Sequence, residues 1–180
     1  MDFQLSLRAG QDETFFVFEF LTDTSTWPEW NTYIPRLEYL ERAGSAKGGS
    51  SATHVNKSSK MKEGDKIRFF ASLPGSSPSS KRSEAPSDIV VNEVSIPEEG
   101  KLYCAVWSCI PSLLHPPCRQ YNEIVAVSED ECEYRSYEEF HGIRAWLVKF
   151  AVGATIQKGL DERAEGLKKI SEERRAAGYR

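Results

Sequence analysis

The side chains able to move protons gather in the second half of this 180-residue chain. Glu123 and Glu138 are candidate bases, Arg119 and Tyr121 candidate donors to a developing oxyanion, and His115 and His141 candidates for either role. Such a set suits cyclisation, dehydration or isomerisation of a carbonyl compound, where a base takes a proton and an acid gives one. No Ser-His-Asp order or GxSxG occurs, and Gly48-Gly49-Ser50 lacks the lysine and following helix of a phosphate loop. The 3 histidines never fall at helical i,i+4 spacing with another ligand. Cys104, Cys109, Cys118 and Cys132 match neither a zinc pattern nor a redox CxxC. The expectation is therefore no metal, no cofactor and four free, buried thiols.

Strand alternation decides which of these groups share a face. Arg119, Tyr121, Glu123, Val125 and Val127 lie on one face of a strand, with Gln120, Asn122, Ile124 and Ala126 on the other. On the following strand Tyr134, Ser136, Glu138 and Phe140 share a face, opposed by Arg135, Tyr137, Glu139 and His141. An aromatic facing the core sets the phase, so Tyr121 and Phe140 are placed inward, and Arg119 and Glu123 go with them. Burial would raise the pKa of an inward Glu123, which makes it the first choice of base, with Glu138 the alternative. Arg119 and Glu123 are about 13 Å apart along the strand, so no direct contact is implied. Against this, a charged strand residue is ordinarily a solvated outer face, His115 lies in a loop, and His141 can simply cap a strand-to-helix junction.

The elements that must hold these residues begin with an alternating strand, Phe3 to Arg8, broken at Ala9-Gly10. Acid at Asp12 and Glu13 followed by Phe15 to Leu21 predicts a short helix. Trp27-Pro28-Glu29-Trp30-Asn31 reads as a tight helical turn or a loop, proline being tolerated only in a first turn. Strands follow over Ile34–Glu41, Lys66–Leu73 (Ile67, Phe69, Ala71 and Leu73 inward), Asp88–Ile96 (Val90, Val94 and Ile96 in phase), Lys101–Cys109, Arg119–Val127 and Glu131–His141. Ala43–Lys60 and Pro74–Ser87 are loops, the second rich in Pro and Ser and expected to be exposed and mobile. From Ile143 the period changes to three and four residues through Leu147, Phe150, Ala154, Leu160, Ala164, Leu167 and Ile170. That predicts one helix of roughly 30 residues, with Leu147, Phe150, Ala154 and Leu167 buried. Glu165 with Lys169, and Lys168 with Glu172, stand at i,i+4. Gly153, Gly159 and Gly166 sit inside it, each costing on the order of 1 kcal/mol against alanine, which suggests close approach of another backbone or of a ligand.

Short turns between consecutive strands require antiparallel pairing, and one sheet with helices on one side is an α+β architecture. A twisted sheet of six or seven strands curls around the long C-terminal helix and leaves an apolar pocket between them. Phe69, Trp107, Tyr121, Phe140, Trp146 and Phe150 are its expected walls, with Trp30 read the same way. For each of these, plain core packing competes with stacking on a flat ligand.

Composition bounds the partners. Apolar residues make up 39%, charged residues 28%, and the formal net charge is -4, which fits one globular domain over residues 1–180. The mild acidity, with no basic stripe of interleaved aromatics, argues against nucleic acid. No run approaches the roughly 18 apolar residues of a membrane span, so no integral membrane contact is expected. Met1-Asp2-Phe3-Gln4 shows no basic or apolar leader, and a cytoplasmic monomer or weak homodimer is the expectation.

The order of elements, with the words that fill it, resembles the START-like or SRPBCC superfamily. The resemblance rests on Val17-Phe18-Glu19-Phe20-Leu21-Thr22-Asp23 running into Trp27-Pro28-Glu29-Trp30-Asn31, and on Lys101-Leu102-Tyr103-Cys104-Ala105-Val106-Trp107. Tyr137-Glu138-Glu139-Phe140-His141-Gly142 looks like that family's closing strand, and Gly166-Leu167-Lys168-Lys169-Ile170 like its helix terminus. It covers nearly the whole chain except the two long loops. It implies a helix-grip fold and a hydrophobic small-molecule ligand. For activity it implies cofactor-independent chemistry of a polyketide cyclase/dehydratase kind (a lyase or isomerase of secondary metabolism) or, alternatively, non-catalytic carriage of a lipid or hydrophobic metabolite, since one fold hosts both.

Overall fold

In the computed structural model, residues 2–7, 11–44, 58–73, 83–96, 102–111, 116–128, 131–142 and 144–178 are described. The chain runs β1 (Asp2–Leu7), α1 (Gln11–Thr22), α2 (Trp27–Trp30), β2 (Arg36–Glu41), β3 (Lys66–Leu73), β4 (Ser83–Ser95), β5 (Leu102–Cys109), β6 (Cys118–Ala126), β7 (Cys132–Phe140) and α3 (Arg144–Ala176). The strands form one 7-stranded sheet in the order β1-β7-β6-β5-β4-β3-β2, antiparallel throughout. From β2 to β7 each strand pairs with its sequence neighbour, through short connections from β3 onward and across the long first loop between β2 and β3. β1 returns to close the far side of the sheet against β7.

One layer of helices covers the concave face, which makes this the expected α+β helix-grip architecture. The core between them holds Val17, Phe18 and Leu21 of α1, Trp27 and Trp30 of α2, and Ile67, Phe69, Ile89, Val91, Tyr103, Ala105, Trp107, Ile124 and Tyr134 of the sheet. Leu160, Ala164 and Leu167 of α3 complete it, at the three- and four-residue steps of one helix face. α3 is one unbroken helix of 33 residues. Ion pairs Lys168–Glu172 and Lys169–Glu173 span its turns, Arg174 and Arg175 sit in its last turn where the dipole favours cations, and Arg174 reaches Glu29 of α2.

Helix α3 burials differ from expectation at the N-terminal end. Trp146 and Phe150 stack on each other but are 65% and 82% exposed, and Ala154 is exposed too. Gly153 is the first buried position among the described side chains of α3, while the placement of the Leu147 side chain lies outside them. Leu167 is fully buried, as its phase requires. Two strands also shift. β4 begins at Ser83, so Ser83–Ser87 is paired strand rather than loop, with Leu73 opposite Ser83 and Phe69 opposite Ser87. Pro86 fits there because the ladder with β5 begins at Ile89 and, among the described residues, no strand pairs on that side of Pro86. Further along, a bulge between Val91 and Glu93 resets the alternation, so that Val94 joins the buried Ile89 and Val91 on the core side, while Ile96, one residue past the strand, is 56% exposed. The remainder of the second loop, residues 74–82, lies outside the described residues, as does most of the first.

Two glycines set how closely α3 docks. A Cβ on Gly159 would overlap the Tyr33 ring, and one on Gly166 would overlap the backbone carbonyl of Trp30. A side-chain ring can turn away, but the carbonyl belongs to the α2 turn and cannot. At the other end of the core, Asp65 is fully buried and accepts from Arg42 Nη1 at 2.8 Å and from the backbone N–H groups of Ala43 and Lys62 at 2.9 Å each. Gly166→Ala should therefore lower unfolding free energy by about 1–3 kcal/mol, despite alanine's better helix propensity. Asp65→Ala should cost about 3–5 kcal/mol, because it leaves two backbone amides unpaired and removes the buried carboxylate that faces Arg42. Urea unfolding of both variants checks these values, and a neutral Gly166→Ala would mean that α3 is not held against α2.

Candidate functional site

The inner face of β6 carries Cys118, Gln120, Asn122 and Ile124, all buried. This reverses the expected phase. Arg119, Tyr121 and Glu123 lie on the convex face, where Tyr121 stacks on Tyr137 of β7 at 4.6 Å between centroids and 14° between planes. Tyr137 donates to Glu123 Oε1 at 3.0 Å, Tyr121 donates to Glu139 Oε2 at 3.4 Å, and Arg119 lies over the Tyr121 ring. The aromatic needed an apolar partner, and the convex face supplied one directly across the ladder. Burial and the neighbouring Glu123 push the Tyr137 phenol up to about 12.

On β7 the expected phase holds, and Tyr134, Ser136, Glu138 and Phe140 point inward. The polar groups freed onto this inner face form one chain across three strands. Trp107 Nε1 donates to Gln120 Oε1 at 2.8 Å, and Gln120 Nε2 donates to Ser136 Oγ at 3.3 Å. Ser136 Oγ at 3.2 Å, Tyr134 Oη at 2.8 Å and Arg163 Nη2 at 2.9 Å all donate to Asn122 Oδ1. Asn122 Nδ2 donates to the Ala105 carbonyl, which fixes its amide. Arg163, from α3, is 1% exposed and lies over the rings of Trp107 and Trp27, 5.1 and 5.6 Å from their centroids. Its Nε and Nη1 have no hydrogen-bond partner among the described residues. The ring faces offset part of the cost of enclosing that cation.

Glu138 borders this network. Unlike Arg163 it retains some accessible surface. Burial pushes its carboxyl up to about 7, and the charge of Arg163 holds back part of the rise. Tyr33, which follows α2 and packs over Gly159, feels Glu138 as well: burial and then that carboxylate raise its phenol far out of the physiological range, so it stays a donor. The third neighbour is a disulfide. Cys109 and Cys118 are joined, against the expectation of four free thiols, while Cys104 and Cys132 form no disulfide among the described residues. Their spacing in sequence carried no pattern, but the end of the β5–β6 ladder sets their Cα atoms 5.2 Å apart. Both sulfurs lie within 4.8 Å of the Glu138 carboxyl.

The expected wall residues divide. Trp30, Phe69 and Trp107 are buried core side chains, Phe140 is half-buried on the inner face beside Glu138, and Trp146 and Phe150 face outward. His141 is exposed beside Glu139. His115 falls outside the described residues. Arg163, Gln120, Asn122 and Tyr33 were not singled out from the sequence. The signal for Arg163 was present, since a charge three residues after Leu160 and four before Leu167 sits on the apolar stripe of α3.

A curved antiparallel sheet, two short helices after its first strand and a long C-terminal helix across the concave face decide the fold class. This is the START-like, helix-grip fold. Solved structures with the START-like arrangement include a START superfamily protein from Mycobacterium smegmatis, at 15% identity, covering 96% of this chain and 97% of that one with a TM-score of 0.59. Norcoclaurine synthase from Thalictrum flavum, in complex with dopamine and hydroxybenzaldehyde, matches at 14% identity over 96% of this chain and 86% of that one, TM-score 0.62. The di-domain ARO/CYC protein BexL matches at 12% identity over 93% of this chain, TM-score 0.57, and this chain spans 46% of its length. No family model matches the sequence, and no curated protein matches it. Among the described residues, no helix of this START-like chain is long and apolar enough to cross a membrane.

The raised carboxyl has a thermodynamic signature. Unfolded, Glu138 titrates near its ordinary value of 4.5, whereas the fold keeps it protonated to about 7. The folded state binds the extra proton, so stability falls as pH rises between those values, by up to about 3 kcal/mol in all. Glu138→Gln should match the wild type near pH ~4 and exceed it near pH ~8 in urea unfolding. Parallel stability curves for the two proteins would show that the carboxyl titrates as it does in water.

Proposed function

We propose that this START-like protein binds a hydrophobic, carbonyl-bearing small molecule of polyketide type or a related metabolite beside Glu138, and catalyses its cyclisation, dehydration or isomerisation without a cofactor. The observation that carries this reading is the Glu138 carboxyl, turned to the inner face and pushed by burial up to about 7, close enough to the buried Arg163 and Tyr33 to feel the first and to act on the second. At that value a carboxylate is populated at neutral pH yet basic enough to take a proton α to a carbonyl. The phenol of Tyr33 is the donor that would meet the oxygen on which negative charge develops. Arg163 acts through its field, since Trp27, Trp107 and Asn122 enclose it. Phe140, beside the carboxyl on β7, supplies apolar surface for the ligand.

Non-catalytic carriage is the second reading, favoured by the weight of aromatic and aliphatic side chains on the concave face. Native mass spectrometry of the purified protein identifies the co-purifying ligand class and supplies substrates to test. With such a substrate, Glu138→Gln should lower kcat by about 10²–10⁴-fold with Kd little changed. Full activity in that variant would remove Glu138 from the chemistry. Tight binding with no turnover by the wild type would establish the carrier.

A further inference from the structure

We propose that Cys109–Cys118 is a reversible thiol–disulfide exchange site that takes small thiols and dithiols as reductants and uses Glu138 as its proton donor. Its oxidation state would then be felt by any ligand lying against Glu138. The exchange chemistry stands on the geometry alone, and only the coupling to ligand rests on the function proposed above.

The fold does not need this crosslink. Seven opposed pairs, from Leu102 with Val125 to Ser108 with Arg119, already hold β5 to β6, and Cys109 and Cys118 are simply the next pair. A bridge between residues 9 apart in sequence constrains the unfolded chain less than one closing a long loop would, and in the folded state the ladder holds the two strands together without it. Reduction therefore leaves the sheet intact, which a reversible site requires.

The two sulfurs are unequal. Cys109 is half-buried and Cys118 is 5% exposed, so an external thiolate meets Cys109 first. Attack on Cys109 Sγ forms a mixed disulfide, breaks the Cys109–Cys118 bond and expels Cys118 as a thiolate. A thiolate in buried surroundings is a poor leaving group. The Glu138 carboxyl, within 4.8 Å of both sulfurs, is placed to protonate it as it departs. The second thiol of a dithiol then attacks the sulfur of the reductant in the mixed disulfide and passes its proton to Cys109. The dithiol leaves as a disulfide, having given two electrons, the protein holds two thiols, and water restores the proton to Glu138. Afterwards the carboxyl faces two S–H groups in place of one apolar S–S bridge.

The full oxidised chain is treated with dithiothreitol in native buffer, quenched with iodoacetamide at intervals, and the alkylated cysteines located by mass spectrometry. Cys109 and Cys118 should become alkylated while the far-UV circular dichroism spectrum is retained. Glu138→Gln should slow this by about tenfold or more at neutral pH, and Glu138→Asp should recover part of the rate. A Cys118→Ser variant exposed to oxidised glutathione should accumulate a mixed disulfide at Cys109. Reduction that occurs only in denaturant would overturn the exchange site, and reduction at the wild-type rate in folded Glu138→Gln would overturn Glu138 as its proton donor. The coupling is read from the Kd of 1-anilinonaphthalene-8-sulfonate in the oxidised and reduced forms, with a change of about fivefold expected. Equal affinity in both forms refutes the coupling alone. Failure of the probe to bind either form refutes the ligand site and the coupling together, and leaves the exchange result to stand on its own rates.

Discussion

A guanidinium enclosed at the centre of the grip governs much of this structure. Placing Arg163 between two indoles removes it from water at a cost of several kcal/mol, and that cost is tolerable only where oxygen acceptors and ring faces meet it. The inner face of β6 is polar for that reason. Asn122 accepts from Arg163, Tyr134 and Ser136 at one oxygen, and Gln120 links the same cluster to Trp107. A wholly apolar strand at that place would leave the cation with nothing but the rings. The same charge tempers the rise that burial imposes on Glu138, so the site's acid–base range is tied to the helix–sheet contact.

This constraint also separates what the sequence discloses from what it hides. Period-2 and period-3.6 patterns are local, and they disclosed the strands and the single long helix because each repeats over many residues. Which face of β6 looks inward is not local. Tyr121 had two apolar destinations, the core and a cross-strand tyrosine, and only the β6–β7 register that sets Tyr121 opposite Tyr137 distinguishes them. On β7 the choice was easier, since Tyr134 and Phe140 share the face that Glu138 occupies. The disulfide was hidden for a similar reason: nine residues of separation say nothing until the strands are paired. The bulge after Val91 and the early start of β4 at Ser83 are likewise properties of a partner strand rather than of the segment itself.

The site inherits this division. Its carboxyl, phenol and disulfide come from β7, from the segment after α2, and from the facing ends of β5 and β6; pairing of neighbouring strands brings the carboxyl to the disulfide, and the phenol feels the carboxylate from the helix layer. Each taken alone is unremarkable in sequence. The fold places them within one another's fields, and chemistry becomes available through that proximity rather than through any motif.

The close seat of α3 over Tyr33 and Trp30 has a further meaning for how this chain can change. Gly159 and Gly166 stand two helical turns apart and act as index marks, since advancing the helix by one residue rotates it by about 100° and presents Leu160 or Leu167 to surfaces cut for a hydrogen atom. Insertions and deletions are therefore tolerable before Gly159, along the exposed turns that carry Trp146 and Phe150, and not between the two marks. Length variation in descendants of this chain is channelled to the outer end of the helix, while the span carrying Arg163 keeps its count.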